Sequence, residues 1–183
     1  MLHHLFASIR KRLWFSGVLT PTWSAYGDSS RNADCLEGVT AMTIKKYGTA
    51  HWEGNIKEGK GLISTESGAL KDQPYGFNTR FEGKPGSNPE ELIGAAHASC
   101  FTMALSLILG NAGYTATALD TKAVVSLDKL DAGFAITSIH LTLTGTVPGV
   151  SQEEFKKLAE KAKENCPVSK LFKTEISLDA TLN

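Results

Sequence analysis

The sequence predicts an α+β protein from three observations. Short β-prone segments separated by Gly, Asn, Asp and Pro follow residue 42. A long apolar stretch that begins with helix-start chemistry lies at the centre of the chain. The second half contains two longer strand-like segments, an amphipathic helix and a last strand. The predicted order is therefore strands, helix, strands, helix, strand.

Three strands are predicted before the central helix, at residues 43–52, 61–65 and 75–81. The last of them is rich in aromatic residues. Because side chains alternate along a strand, one of its faces would carry apolar groups and Thr79, and the other would carry Asn78 and Arg80. Arg80 is thus expected on a strand that directly precedes the helix.

The central helix has clear signals at both ends. Asn88 is a good N-cap, Pro89 suits the first helical position, and Glu91 completes the spacing of a capping box. Gly110 and Gly113 can end the helix. A helix of more than twenty residues follows from these signals.

The strands 117–127 and 134–147 are predicted to form an antiparallel hairpin, because residues 128–133 have turn chemistry. Ser151 and Glu154 then form a second capping box. Apolar residues recur at helical spacing up to about Glu164. A short helical turn after residue 167 and a strand at 174–182 complete the chain.

The charge balance limits the classes of partner. Nineteen basic residues balance nineteen acidic ones, so no net field attracts nucleic acid, an anionic membrane or a charged substrate. No continuous apolar run reaches the roughly 18 to 20 residues that span a bilayer. We expect a soluble, cytoplasmic protein that acts on a small neutral or apolar molecule.

Three widely spaced cysteines do not form a disulfide framework, and no CxxC pair suggests a structural zinc site. Reactive thiols in a reducing cytoplasm are the leading interpretation, and no metal is expected. Residues 1–41 differ in character from the rest and are predicted to be an extension outside the fold of residues 42–183. The start of this extension resembles a targeting peptide in being basic and amphipathic, but no continuous apolar region with a cleavage site follows. The favoured interpretation is that Met42 is the natural initiator and that residues 1–41 are upstream sequence, in which case Cys35 has no role.

Two segments carry a family resemblance: residues 88–101, which contain Cys100, and residues 165–169, which contain Cys166. Together they resemble the osmotically inducible protein C and organic hydroperoxide resistance superfamily. Supporting similarity lies in three further segments, 50–54, 76–81 and 125–134. The resemblance implies antiparallel sheets with a long central helix, and an intertwined homodimer.

The resemblance also implies an activity, that of a thiol-dependent peroxidase for organic hydroperoxides in stress defence. Cys100 would be oxidised to a sulfenic acid and Cys166 would capture it as a disulfide, with Arg80 and Glu90 assisting. The implied reductant is an external dithiol such as a lipoylated protein. No bound cofactor is implied.

The residues support the need for a cation at Cys100. Only a thiolate attacks a peroxide, and a free thiol is mostly protonated at neutral pH. Cys100 lies eleven residues beyond Pro89, about 16 Å along the axis, whereas the helix dipole acts within the first turn. Arg80 is the best candidate for the cation, and Glu90 would hold its guanidinium.

Glu90 raises a geometric difficulty, because ten helical residues separate it from Cys100 by about 15 Å. Either the helix breaks or two chains contribute to one site. We favour two chains, because Gly94 and Ala98 have the spacing that lets helices approach closely. An antiparallel crossing near Ala95 would set Glu90 opposite Cys100 of the partner subunit.

Other interpretations remain for individual residues. Cys166 lies beside Pro167, where the N–H groups of a short turn would favour a thiolate, but it could also be an apolar-like core cysteine. His97 shares a helical face with Cys100, which invites a Cys–His nucleophile or a metal site; a packed or interface histidine is the plainer expectation.

Apolar residues near these motifs would favour an alkyl or aryl hydroperoxide, although they could equally be core. They are Phe77, Phe81, Phe101, Met103 and Leu105. Two other functions use the same features. A redox sensor would form the disulfide without rapid turnover, and a ligand-binding module would not need Cys100 at all.

Overall fold

The computed structural model describes residues 43–183; the predicted extension over residues 1–41, with Cys35, lies outside them. The elements of the described part confirm an α+β protein with two small sheets and a long helix. They are β1 (Gly48–Glu53), β2 (Lys60–Thr65), β3 (Gln73–Tyr75), α1 (Phe77–Phe81), α2 (Pro89–Asn111), β4 (Ala118–Leu130), β5 (Gly133–Thr146), α3 (Gln152–Asn165), α4 (Pro167–Leu171) and β6 (Glu175–Leu182).

The first sheet has the order β1-β2-β3 and the second has the order β4-β5-β6. All neighbours are antiparallel except β5 and β6, which pair in parallel. The expectation of antiparallel sheets is therefore wrong for β6. Its connection from β5 passes through α3 and α4, and a helical crossover of this length returns the chain in the same direction.

The predicted strand over residues 75–81 is also wrong: the strand ends at Tyr75 and α1 follows. The Thr79 hydroxyl accepts the Gly76 N–H at 2.9 Å and lies 2.8 Å from the Ser87 carbonyl oxygen, to which it can donate. These local bonds favour a helical turn over a strand. Phe77 and Phe81 consequently stack on one helical face, with ring centroids 4.9 Å apart.

The caps of the two longer helices are as predicted. The Asn88 side chain accepts the Glu91 N–H, and the Ser151 hydroxyl accepts the Glu154 N–H. The β4–β5 hairpin is antiparallel, but its turn is shorter than predicted, because pairing continues to Leu130 and Gly133. Gly133 has a φ of 120°, a conformation that favours glycine.

The core lies between α2, α3 and the second sheet. One face of α2 is buried, including Phe101, Leu105 and Leu109. Gly94 belongs to this face: a Cβ there would lie 3.0 Å from the Ala123 carbonyl oxygen on β4. The glycine therefore serves close packing within the chain, which corrects its predicted role in bringing two chains together.

The opposite face of α2 is largely uncovered. Met103 and Leu107 are 74% and 67% exposed. Between this helix and the first sheet lies an open groove of about 820 Å³, where Ala95, Ala96 and Ser99 face residues of β1 and β2. The first sheet itself buries little apart from Gly61.

By length and composition, α2 is apolar enough to cross a membrane. Of its apolar 18-residue segment, 28% is buried within the protein. This property was not expected from the sequence, because polar residues interrupt the apolar runs of α2. The criterion is the mean hydropathy over 18 residues, which such interruptions do not lower enough. Helices in the cores of water-soluble proteins meet the same criteria. The property by itself therefore shows only that α2 carries more apolar surface than this chain covers.

Candidate active site

The two cysteines of the described chain meet where α2 passes the junction of α3 and α4. Cys100 lies in the middle of α2, and Cys166 is both the C-cap of α3 and the N-cap of α4. Both are free thiols, and their side chains are within hydrogen-bonding contact.

Cys166 is fully buried. Burial on its own would raise the pKa of Cys166, but four hydrogen bonds together lower it below its ordinary value. They come from the Ser169 backbone, the Cys100 thiol, the Ser169 hydroxyl and the Val168 backbone. Apart from burial, the surroundings of Cys166 therefore favour its thiolate form.

Cys100 differs in access and in electrostatics. Burial and the neighbouring Cys166 thiol raise the pKa of Cys100, against one stabilising bond from the Val168 backbone. Its side chain is partly exposed and lines a cavity of about 680 Å³. Met103, Leu107 and Pro167 make the wall of this cavity mainly apolar.

Arg80 and Glu90 form a second pair. Two bonds join them: Nη2 lies 2.5 Å from Oε1, and Nε lies 3.1 Å from Oε2. The guanidinium also lies over the Phe81 ring, 5.3 Å from its centroid. Arg80 lies on α1, not on the predicted strand, and Glu90 lies in the first turn of α2. The parallel bonds leave the guanidinium little freedom to turn.

The structure does not bring the two pairs together. Helix α2 runs unbroken from Glu90 to Cys100, so about 15 Å of helix separates them. The groups that shift the pKa of Cys100 do not include Arg80. Of the four predicted site residues, Cys100 therefore lies with Cys166, and Arg80 lies with Glu90.

His97 is fully buried one turn before Cys100. Its Nε2 lies 2.8 Å from the Ser169 hydroxyl, and its ring packs on Phe172. Burial lowers the pKa of His97, which keeps the imidazole neutral at pH 7. Within residues 43–183 no cluster of three metal-ligating side chains occurs. The geometry is that of a packed histidine.

Ser169 was given no role from the sequence, yet it contacts both His97 and Cys166. A signal existed, because Ser169 follows Cys166 by three residues, the spacing of a side chain that bonds the cap of a helical turn. Among the predicted apolar residues, Phe101 and Leu105 belong to the core, whereas Met103 lines the cavity.

Comparisons with known proteins show the family to which this chain belongs. The family described as OsmC-like protein matches residues 81–181. Peroxiredoxin OsmC from Escherichia coli (strain K12) is 64% identical over 141 residues, which cover 77% of this chain and 99% of that protein. Organic hydroperoxide resistance protein OhrB from Bacillus subtilis (strain 168) is 30% identical over 124 residues, which cover 67% and 88%.

Solved structures share the fold. The crystal structure of the organic hydroperoxide resistance protein OhrB of Bacillus subtilis aligns with a TM-score of 0.55 at 26% identity, over 75% of this chain and 98% of that one. An OsmC-like protein of unknown function from Vibrio cholerae aligns with a TM-score of 0.61, over 75% and 99%; at 18% identity it supports the fold alone. The chain belongs to the OsmC-like family and is a cysteine-based peroxidase.

Proposed function

We propose that the chain reduces organic hydroperoxides to alcohols, with Cys100 as the attacking thiol and Cys166 as its disulfide partner. The observation that carries the proposal is the contact between the two thiols at the wall of an apolar cavity. The names of the relatives support it, since they include a peroxiredoxin and organic hydroperoxide resistance proteins.

The reaction has two steps within the protein. The Cys100 thiolate attacks one peroxide oxygen; an S–O bond forms, the O–O bond breaks, and the alkoxide leaves as an alcohol after taking up a proton. The Cys166 sulfur then attacks the sulfenic sulfur; an S–S bond forms, the S–O bond breaks, and water leaves. An external dithiol, such as a lipoylated protein, returns two electrons.

Access decides which thiol attacks first. In a single chain Cys166 is the better stabilised thiolate, but it is buried and no peroxide reaches it. Cys100 is reachable from the cavity but has a raised pKa, so its thiolate needs a positive group beyond those that surround it in a single chain. A guanidinium is suited to this, because it stays charged when partly buried.

A two-fold homodimer would supply that group. The exposed Ala95 and Ala96 lie midway between Glu90 and Cys100, and together with the exposed Ser99 they leave space beside α2. An antiparallel crossing there would place the Arg80–Glu90 pair of one subunit beside Cys100 of the other. It would also cover the apolar face of α2 that this chain leaves exposed.

The remaining expectations follow from the same chemistry. An apolar cavity favours hydroperoxides with alkyl or aryl groups over hydrogen peroxide. A disulfide cycle needs a reducing compartment to supply dithiols, which is consistent with the cytoplasm. The cycle uses the protein's own thiols with no bound cofactor.

Intact mass after one equivalent of cumene hydroperoxide tests the chemistry. Each protein carries Cys35→Ser, so that the thiol outside the described residues does not contribute. The parent protein is expected to lose two hydrogen atoms, Cys166→Ser to gain one oxygen atom, and Cys100→Ser to keep its mass. Oxidation of Cys100→Ser at the parent rate would overturn the proposal.

A further inference from the structure

A row of polar atoms runs behind the two thiols. It begins at His97 on α2, passes through the Ser169 hydroxyl on α4, reaches the Cys166 sulfur, and ends at Cys100 on α2. His97 and Cys166 have no exposed surface, and Ser169 is 9% exposed. The row therefore meets water at Cys100 and, over a small area, at Ser169, which lines a second cavity of about 240 Å³.

His97 is a poor choice if packing is its only purpose. Among the described residues its Nδ1 has no hydrogen-bond partner, although the atom is buried. Leaving a buried polar atom unpaired costs free energy. A phenylalanine would fill the same space against Phe172 without this cost. The one bond that the imidazole makes is to Ser169, which points to a role exercised through that hydroxyl.

We propose that Ser169 and His97 form a proton relay for Cys166, in which Ser169 accepts the thiol proton and His97 accepts the hydroxyl proton. The inference rests on the proposed disulfide mechanism, because a proton acceptor is needed only if Cys166 attacks the Cys100 sulfenic acid. Ser169 acts as the catalytic residue that touches a reacting sulfur, and His97 is a positioning residue behind it.

The relay balances atoms and charges. The Cys166 proton moves to the Ser169 oxygen while the Ser169 proton moves to Nε2 of His97, which gives a thiolate and an imidazolium. The thiolate attacks the sulfenic sulfur, the S–O bond breaks, and hydroxide leaves. Hydroxide becomes water by taking a proton from solvent at the Cys100 end, and the buried imidazolium returns its proton to solvent through the Ser169 hydroxyl. The sum is thiol plus sulfenic acid giving disulfide plus water.

The environment suits a transient acceptor. Burial lowers the pKa of His97, so the resting imidazole is neutral, and the relay requires the tautomer in which Nε2 accepts a hydrogen bond from the Ser169 hydroxyl. The same burial makes the imidazolium short-lived. The first step does not need the relay, because Cys100 is reached from the cavity side and Ser169 is not among the groups that bond it.

Rapid mixing with cumene hydroperoxide separates the two steps in proteins that carry Cys35→Ser. Sulfenic acid is trapped with dimedone at quenched times, and disulfide is measured by intact mass. We expect Ser169→Ala and His97→Phe each to slow disulfide formation about tenfold or more, with sulfenic acid formed at nearly the parent rate. Ser169→Thr keeps a hydroxyl and is expected to restore most of the rate.

The double variant adds a test that simple disruption of packing would not pass. Residues that act as a unit are non-additive, so Ser169→Ala with His97→Phe should be no slower than either change alone. Ser169→Ala deletes one atom, which keeps the test valid if His97→Phe does not fold. Disulfide formation at the parent rate in Ser169→Ala would overturn the relay, and so would a Thr variant as slow as the Ala variant. Absence of sulfenic acid in Cys166→Ser, where no second thiol captures it, would instead refute the peroxidase mechanism.

Discussion

The Cys100–Cys166 pair and the Arg80–Glu90 pair are both well formed, but they differ in what one chain can do with them. The two thiols lie in contact, and one of them is fully buried. The ion pair joins two neighbouring elements, and its guanidinium is not among the groups that act on Cys100 or Cys166, the two cysteines of the described residues. One chain thus contains a complete redox couple and a complete cationic group about 15 Å apart along α2.

On the proposed mechanism, the difference makes disulfide formation and thiol activation separable. Disulfide formation would depend on contacts within the chain. Activation would depend on a second subunit that covers the exposed face of α2. Variants of the cysteine pair should therefore lose a different step of the reaction from variants of the ion pair. Mixtures of variants should reveal which residues of one site come from the same subunit.

The largest expected effect comes from mixing Arg80→Ala with Cys100→Ser, both with Cys35→Ser, after subunit exchange. Arg80→Ala alone should form disulfide on the order of a hundredfold more slowly, because a preorganised cation is lost. In the mixture, mixed dimers pair an intact Cys100 with an intact Arg80 of the partner subunit. Rapid disulfide formation should reappear, and intact mass should find it only in the chain that carries Arg80→Ala.

The matched control mixes Cys100→Ser with Cys166→Ser. Since both thiols of a site come from one chain, this mixture should form no internal disulfide at any ratio. If the first mixture also fails to recover, although exchange is verified by native mass spectrometry, the shared site is wrong. A fully active monomer in sedimentation would lead to the same conclusion.

The cysteine pair and the helix that holds Cys100 were largely predictable from the sequence. Asn88, Pro89 and Glu91 define the start of α2 through local chemistry, and local chemistry is what sequence patterns report. The contact between Cys100 and Cys166 spans sixty-six positions, so spacing alone could not establish it. It was expected from the family resemblance.

What the sequence did not predict depends on tertiary contacts. Residues 75–81 alternate like a strand, but the Thr79 hydroxyl bonds Gly76 and lies within reach of Ser87, and a short helix results. Gly94 has the spacing of a helix-pairing residue, yet the Ala123 carbonyl of the same chain occupies its open side. Ser169 became visible only when α4 was placed against His97.

A smaller effect is expected in the cavity beside Cys100. Leu107→Ser removes apolar surface from its wall and should lower kcat/KM for cumene hydroperoxide about threefold to tenfold, mainly through KM. The kcat/KM for hydrogen peroxide, which has no apolar group, should fall less. Leu171→Ser is the control, because Leu171 is 75% exposed and does not line the cavity. Equal losses for both peroxides would mean that Leu107 acts on assembly or folding instead.

The smallest expected effect is the pH dependence of stability, and it compares the two thiols directly. In Cys100→Ser with Cys35→Ser the remaining thiol is Cys166, and against its burial the Ser169 and Val168 bonds still act to lower its pKa. Between that pKa and the ordinary cysteine value the unfolded chain binds more protons, so the free energy of unfolding should rise with pH. The slope cannot exceed about 1.4 kcal/mol per pH unit for one thiol. Urea unfolding at a series of pH values measures it.

The opposite sign is expected for Cys100 without its cation. In Arg80→Ala with Cys166→Ser, burial keeps the pKa of Cys100 above its ordinary value. The folded state then holds the proton longer, so the free energy of unfolding should fall as pH rises through the ordinary cysteine value towards the folded one. Restoring Arg80 should turn the slope upward, because a guanidinium from the partner subunit stabilises the thiolate. The same pH dependence of the free energy of unfolding with and without Arg80 would show that the guanidinium does not act on Cys100.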